Sequence, residues 1–149
     1  MAPTVLSVWG RFEGGPEVTF VGINYLAVAV AAGAGFVFGA LWYGLLGKQW
    51  MAALDLSEQP KQSPGPYVIA FAAQLVMAWV LAGVVGHFGE VTPMTALVTA
   101  CLVWVGFVVT TQTVNHRFQS ARWSLTVIDS GHWLGVLLVM GLVIGLVGV

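Results

Sequence analysis

Asp129 is the residue whose type and place in the chain ask most for a chemical explanation. It stands in a long apolar run, with Thr126 three residues before it and His132 three residues after it. On a helix that spacing puts all three side chains on one face. An aspartate and a histidine so placed admit two readings: a pair that titrates protons or binds a ligand, or a hydrogen-bonded contact that fixes how helices pack. The packing reading is preferred, because one such pair is not a catalytic constellation. Elsewhere in the chain, Thr110, Thr111, Gln112, Asn115, Gln74 and Tyr43 are among the polar or phenolic groups set within apolar stretches, beside Trp42.

No familiar catalytic or metal-binding pattern competes with this cluster. A metal site needs three or four convergent ligands, and His87, His116 and His132 fall at three different levels of the chain's apolar runs. Ser124, Ser130 and His132 do not have the spacing of a nucleophile with its base. Cys101, the single cysteine, lies in an apolar run and reads as inert packing. We therefore expect no catalytic residue, no metal and no cofactor. An enzyme is the least favoured of the functional classes.

The elements that must position these residues follow from composition. Hydrophobic residues make up 58% of the 149 and charged residues 7%, with mean hydropathy +0.90. A globular domain carries about 25% charged residues, and five Lys+Arg with six Asp+Glu cannot cover a water-facing surface. This excludes a cytosolic enzyme and a nucleic-acid binder and leaves an integral membrane protein. About 20 apolar residues cross a bilayer as a helix. Charge-free stretches place spans at about 23–46, 67–86, 94–114 and 124–148. They are too long and too uniformly apolar for β-barrel strands. The expected fold is an all-α bundle of four transmembrane helices over residues 22–149. Residues 1–21 form an N-terminal extension, in which Val5, Leu6, Val8, Trp9 and Phe12 could make one apolar side of a segment lying on the membrane surface.

Counting Lys and Arg sets the expected orientation. Lys48, Lys61, Arg117 and Arg122 belong to the first and third connections, and Arg11 alone belongs to the other side. Both termini should face the periplasm. In this arrangement the polar groups gather in the cytoplasmic half of the bilayer. Asp129 sits roughly 9 Å into its span at 1.5 Å per residue. Thr111 and Asn115, at i and i+4, are its expected partners together with His132, and Arg117 or Arg122 could neutralise it. Otherwise Asp129 holds its proton.

Small residues are the second pattern. Ala27, Ala31, Gly35 and Gly39 recur every four residues in the first span, and Gly131, Gly135, Gly141 and Gly145 punctuate the fourth. Such stripes let helices approach closely. They suit either a central helix of a bundle or an outward face for oligomer or partner contact.

Read in order, several of these runs resemble one bacterial membrane family. They are Asn24-Tyr25-Leu26, then Gly35-Phe36-Val37-Phe38-Gly39-Ala40-Leu41-Trp42-Tyr43-Gly44, then Gly47-Lys48-x-Trp50-Met51. Later come Gly106-Phe107-x-x-Thr110-Thr111-x-x-x-Asn115, Ile128-Asp129-x-Gly131-x-Trp133 and Met140-Gly141. Together, over about residues 22–147, they are similar to domain-of-unknown-function family 1761. The resemblance implies a four-helix inner-membrane protein and brings no established activity, cofactor or catalytic residue. The stretch before Val21 departs from the family's pattern, which points to a specialised attachment.

The sequence thus favours a small, multi-pass protein of the bacterial cytoplasmic (inner) membrane, surrounded by lipid. It would act as a structural or accessory subunit, as a homo-oligomer or within a larger membrane complex. The alternative is a small oligomeric transporter or channel using Asp129, His132, Asn115 and Thr111 as a polar path. Against the alternative, the outer halves of the spans lack matching polar groups.

Overall fold

The computed structural model describes residues 22–58, 61 and 63–149. The proposed surface segment in residues 1–21 lies outside the described residues. Among the described residues all regular structure is helical. Helix α1 is Tyr25–Ala53, α2 is Pro64–His87, α3 is Pro93–Val103, α4 is Val109–Phe118 and α5 is Trp123–Val147. A π-helical turn, Trp104–Val108, joins α3 to α4, and the Val109 N–H reaches back five residues to the Trp104 carbonyl. Because α3, this turn and α4 run on as one rod, four helices are long and apolar enough to cross a membrane: Tyr25–Ala53, Pro64–His87, Pro93–Phe118 and Trp123–Val147.

The helices begin where the sequence supplies caps. Asn24 accepts from the Ala27 N–H at 3.1 Å and opens α1. Pro64 opens α2 from its first position, where a missing N–H costs nothing. Thr92 and Thr95 form a reciprocal capping box ahead of α3. Two spans run further than their charge-free stretches. Helix α1 continues past Lys48 to Ala53 before Asp55 turns the chain at φ +56°. The third rod continues through His116 and Arg117 to Phe118, and Ser120 makes the turn at φ +54°. His116 and Arg117 are therefore the last turn of a helix and not a connection, which lets them reach into the bundle.

Helix α5 is the centre. Its buried residues include Val136, Leu137, Met140 and Ile144, which meet Ala31 and Ala32 of α1, Ala78 and Leu81 of α2, and Ala96 and Ala100 of α3. Glycines on both sides of α5 admit its neighbours. A Cβ at Gly131 would stand 3.0 Å from the Trp42 ring and one at Gly135 2.2 Å from the Phe38 ring. A Cβ at Gly141 would meet the Ala96 carbonyl oxygen at 3.0 Å, and one at Gly145 the Pro93 Cα at 2.6 Å. On α1, Ala27, Ala31, Gly35 and Gly39 are all buried within the chain. Of the two uses open to these stripes, the central helix is the one realised. The small residues are occupied internally and present no outward face.

Crowding of this kind has a measurable cost. Gly145→Ala puts a methyl group against Pro93 backbone, which cannot swing aside as a side chain would. We expect a loss of about 1–3 kcal/mol, read as a lower midpoint of thermal unfolding in detergent. Gly33→Ala, with nothing within 4 Å of the new Cβ, should be neutral or stabilising by about 0.5–1 kcal/mol, because alanine loses less backbone entropy in a helix. Equal effects at the two positions would contradict this packing.

Candidate functional site

The polar cluster gathers at the end of the bundle where α1 and α4 finish and α2 and α5 begin. Lys48, Lys61, Arg117 and Arg122 belong to the same end, called here the basic end. Asp129 lies one and a half turns into α5 and is partly buried. Its Oδ1 accepts from the Tyr43 hydroxyl at 3.0 Å and from the Trp50 indole N–H at 3.1 Å. Both donors come from α1, seven residues apart, which is two helical turns. Their rings also meet edge to face, with centroids 5.8 Å apart. On the other side, His116 Nε2 of α4 stands 3.8 Å from Asp129 Oδ2, a distance that makes an ion pair when the imidazole carries a proton. One carboxylate therefore ties three helices together.

The layer around it is also paired across helices. His116 Nδ1 is 3.0 Å from the Thr126 hydroxyl, to which Arg117 also donates at 3.0 Å. The Arg117 guanidinium lies 3.9 Å from the centre of the Trp123 ring, a cation–π contact. The Ser130 hydroxyl donates to Gln112 Oε1 at 2.8 Å, and the Trp104 indole donates to the Ser130 carbonyl at 2.8 Å. Arg122 pairs with Asp55 at 2.5 Å and donates to the Ala52 carbonyl at 3.0 Å, tying α5 to the end of α1. Neither arginine is used on Asp129. The open groove beside this pair, about 250 Å³, is lined by Ala53, Asp55, Ser120 and Arg122 among others. Its two charges already answer each other.

Deeper in the bundle, the His132 ring contacts Tyr43 and Trp133, each at 4.8 Å between centroids. It does not touch the Asp129 carboxylate directly; Tyr43 stands between them. Gln74 of α2 is buried, with its Oε1 beside Gly35.

The third rod differs from the sequence expectation. Thr110, Thr111 and Asn115 are exposed on the bundle's outer side, and Gln112 and His116 take the inward places. The cause is the π turn. Its extra residue advances the helix face by one position, about 100°. The face that carries Ala96, Ala100 and Trp104 would have continued to Thr111 on an unbroken α-helix, and continues instead to Val108, Gln112 and His116. Thr110 and Thr111 have a different task. The Thr110 hydroxyl donates to the Gly106 carbonyl at 2.9 Å, and the Thr111 hydroxyl donates to the Phe107 carbonyl. Both carbonyls belong to the π turn, where no water in the hydrocarbon could serve them. Sequence reasoning put Gln112 in the polar layer and Thr126 on the face of Asp129 without pairing them, and it missed Trp50 and His116 as neighbours of the carboxylate. Extending the inward face of α3 past Gly106 with one added residue is the signal that would have found the two on α4.

Among the described residues no three His, Cys, Asp or Glu side chains come together as metal ligands. The arrangement binds helices to one another through a carboxylate.

The family model described as "Protein of unknown function (DUF1761)" matches residues 26–145, and the chain belongs to that family. No curated protein matches the chain. No solved structure matches it either.

The donors on Asp129 make a sharp expectation for its variants. Asp129→Asn keeps an oxygen for Tyr43 and Trp50 and should be mild. Asp129→Leu leaves a hydroxyl and an indole N–H without an acceptor, at about 1–3 kcal/mol each, and should unfold at clearly lower temperature. Thermal unfolding of both purified variants, with Tyr43→Phe as a partial loss, checks the order. If Asp129→Asn proves as damaging as Asp129→Leu, the carboxylate charge and not its acceptor role holds the helices.

Proposed function

We propose that this membrane protein is a structural or accessory subunit, held in the bacterial cytoplasmic membrane with both termini on the periplasmic side, and that it acts by packing against itself or a larger membrane complex. The observation that carries this reading is the uneven cover of its spans. Only 17% of the third span's most apolar window is buried within the chain, against 33%, 33% and 39% for the others. Its outer side also mixes small and polar groups among apolar ones: Cys101, Gly106, Thr110, Thr111 and Asn115 are all exposed. Polar and small residues facing lipid are costly or idle unless another helix meets them. Of the groups that could have carried ions, Asp129 is engaged in ties between helices.

The transporter reading has less support. Beyond Gln74 and His132, toward the termini, the buried interior is mostly apolar, with Val28, Leu81, Val85 and Ile144 at its centre. Thr99, the buried polar residue of that half, gives its hydroxyl to the Thr95 carbonyl of its own helix at 2.8 Å. Among the described residues the buried polar line therefore ends at Gln74 and His132.

Two measurements test the proposal. Purification in mild detergent should recover the protein in fixed ratio with a larger assembly or as a defined homo-oligomer. A monomer, or an oligomer that conducts solute in vesicles, would remove the accessory role. A reporter fused after Val149 should be active only in the periplasm, since Lys48, Lys61, Arg117 and Arg122 belong together on the other side. Activity only in the cytoplasm would invert the bundle.

A further inference from the structure

The groove of about 250 Å³ between the end of α1 and the turn that joins α4 to α5 takes no part in the Asp129 network. Its lining mixes apolar Ala53, Leu54 and Leu125 with the charged Asp55 and Arg122. Both charged side chains stay open, Arg122 at 58% and Asp55 at 70% exposure. Their mutual contact leaves bonding capacity over. Arg122 gives Nη2 to Asp55 Oδ1 and Nη1 to the Ala52 carbonyl, out of five N–H donors. Asp55 keeps Oδ2 for another donor. The groove therefore presents a donor fork and a carboxylate oxygen side by side, with no net charge. Its depth is also set. Helix α1 has 29 residues and rises about 43 Å, the thickness of a bilayer with its polar layers, about 40–45 Å. A groove at its last turn lies at the level of the lipid phosphates. Trp123, next to Arg122 in the chain and 61% exposed, stands where indoles settle at that level.

We propose that this groove is a binding site for the head group of a zwitterionic aminophospholipid, in which a two-carbon bridge joins a phosphate to a primary ammonium. The phosphate accepts from the Arg122 N–H groups that Asp55 and Ala52 leave over, and the ammonium donates to Asp55 Oδ2. Four charges then alternate in sign, joined by charge-assisted hydrogen bonds. Other head groups fail on one of these contacts. A quaternary ammonium has no N–H to give Asp55. A head group of net negative charge answers Arg122 but sets a like charge against Asp55, which selects against it. The size agrees. Phosphate and ethanolamine together have about eight non-hydrogen atoms, and at about 30 Å³ each, the share a water takes in the liquid, they need about 240 Å³. Ala53, Leu54 and Leu125 line the apolar part of the groove, where the glycerol and the first methylenes would lie. This inference concerns the surface of the basic end and stands apart from the accessory role.

Native mass spectrometry of the full chain, purified in detergent and titrated with defined lipids, tests it. Phosphatidylethanolamine should be retained about tenfold more tightly than phosphatidylcholine or phosphatidylglycerol of the same acyl chains, the worth of about one hydrogen bond to a charged group. Asp55→Asn should abolish the preference over phosphatidylcholine and raise the binding of phosphatidylglycerol, because the repelling carboxylate is gone. Arg122→Gln should weaken all three lipids. Thermal unfolding without added lipid separates lost binding from lost fold, and Asp55→Asn keeps the groove testable where Arg122→Gln does not fold. Equal retention of phosphatidylethanolamine and phosphatidylcholine would overturn the proposal. So would a preference of the wild-type protein for phosphatidylglycerol, or an unchanged lipid preference in Asp55→Asn. Displacement of the lipid by free phosphoethanolamine would overturn it as well, since the groove would then take a soluble ligand.

Discussion

A carboxylate inside hydrocarbon must be answered by donors on other helices, and much of this bundle is arranged around that demand. The Asp129 side chain is only 18% exposed, and charged groups within a span are tolerated when they face the interior and find partners. Its two strong donors, Tyr43 and Trp50, both belong to α1. Bonding them fixes the rotation of α1 about its own axis and its height against α5. The glycines then become necessary. With α1 held in that register, Phe38 and Trp42 point into α5 at Gly135 and Gly131, where any side chain would collide. On the reciprocal side, His132 and Val136 press into α1 at Gly39 and Gly35. Hydrogen bonds set the register, and the absence of side chains lets the backbones close to the distance those bonds require.

The π turn solves a related problem on the third rod. Its α3 half is committed by Ala96, Thr99 and Ala100, which are buried against the centre. Continued as a regular α-helix, that face would bring Thr111 toward α5 and turn His116 away. One extra residue at Trp104–Val108 corrects the phase, so that Gln112 meets Ser130 and His116 meets Asp129 and Thr126. The threonine hydroxyls at 110 and 111 bond back to carbonyls of this turn. The gain is a second helix brought to the central carboxylate.

How much of this was legible in the sequence depended on range. Four spans follow from charge-free length alone, and the structure lengthens them where Lys48, His116 and Arg117 could remain helical near the bilayer surface. Asp129 announces itself, since a lone acid in an apolar run has few explanations. Gly35, Gly39, Gly131 and Gly135 declare close packing by spacing, although spacing does not say whether the neighbour is the same chain. The partners of Asp129 were harder. Tyr43 falls in the right layer by counting, but Trp50 reads equally well as an indole anchoring at the membrane surface. Thr111 and Asn115 were the natural choices on a regular helix. A π turn has no distinctive composition, and Val105, Gly106 and Phe107 read as ordinary transmembrane sequence. Local pattern therefore gave the elements and the central residue. The phase of one helix, decided by tertiary contacts, determined which side chains reached it.

The distribution of polarity along the bundle bears on what such a molecule can do. From the basic end inward, side chains capable of hydrogen bonding recur turn by turn: Arg117 and Thr126, then His116 and Asp129, then Tyr43 and His132, then Gln74. Past Gln74 the centre narrows to alanine, valine, leucine and isoleucine, with Ala31, Ala78, Val85 and Ile144 leaving almost no accessible surface. A conduit needs groups that repeat from face to face and can exchange partners as the cargo passes. Here the polar half is linked helix to helix, and the apolar half is close-packed with no alternative partners to offer. The same asymmetry suits a scaffold. The linked half fixes the relative rotation of the helices, while the third rod lends little of its surface to the interior, and its outer side is where the proposed contact with another helix would form.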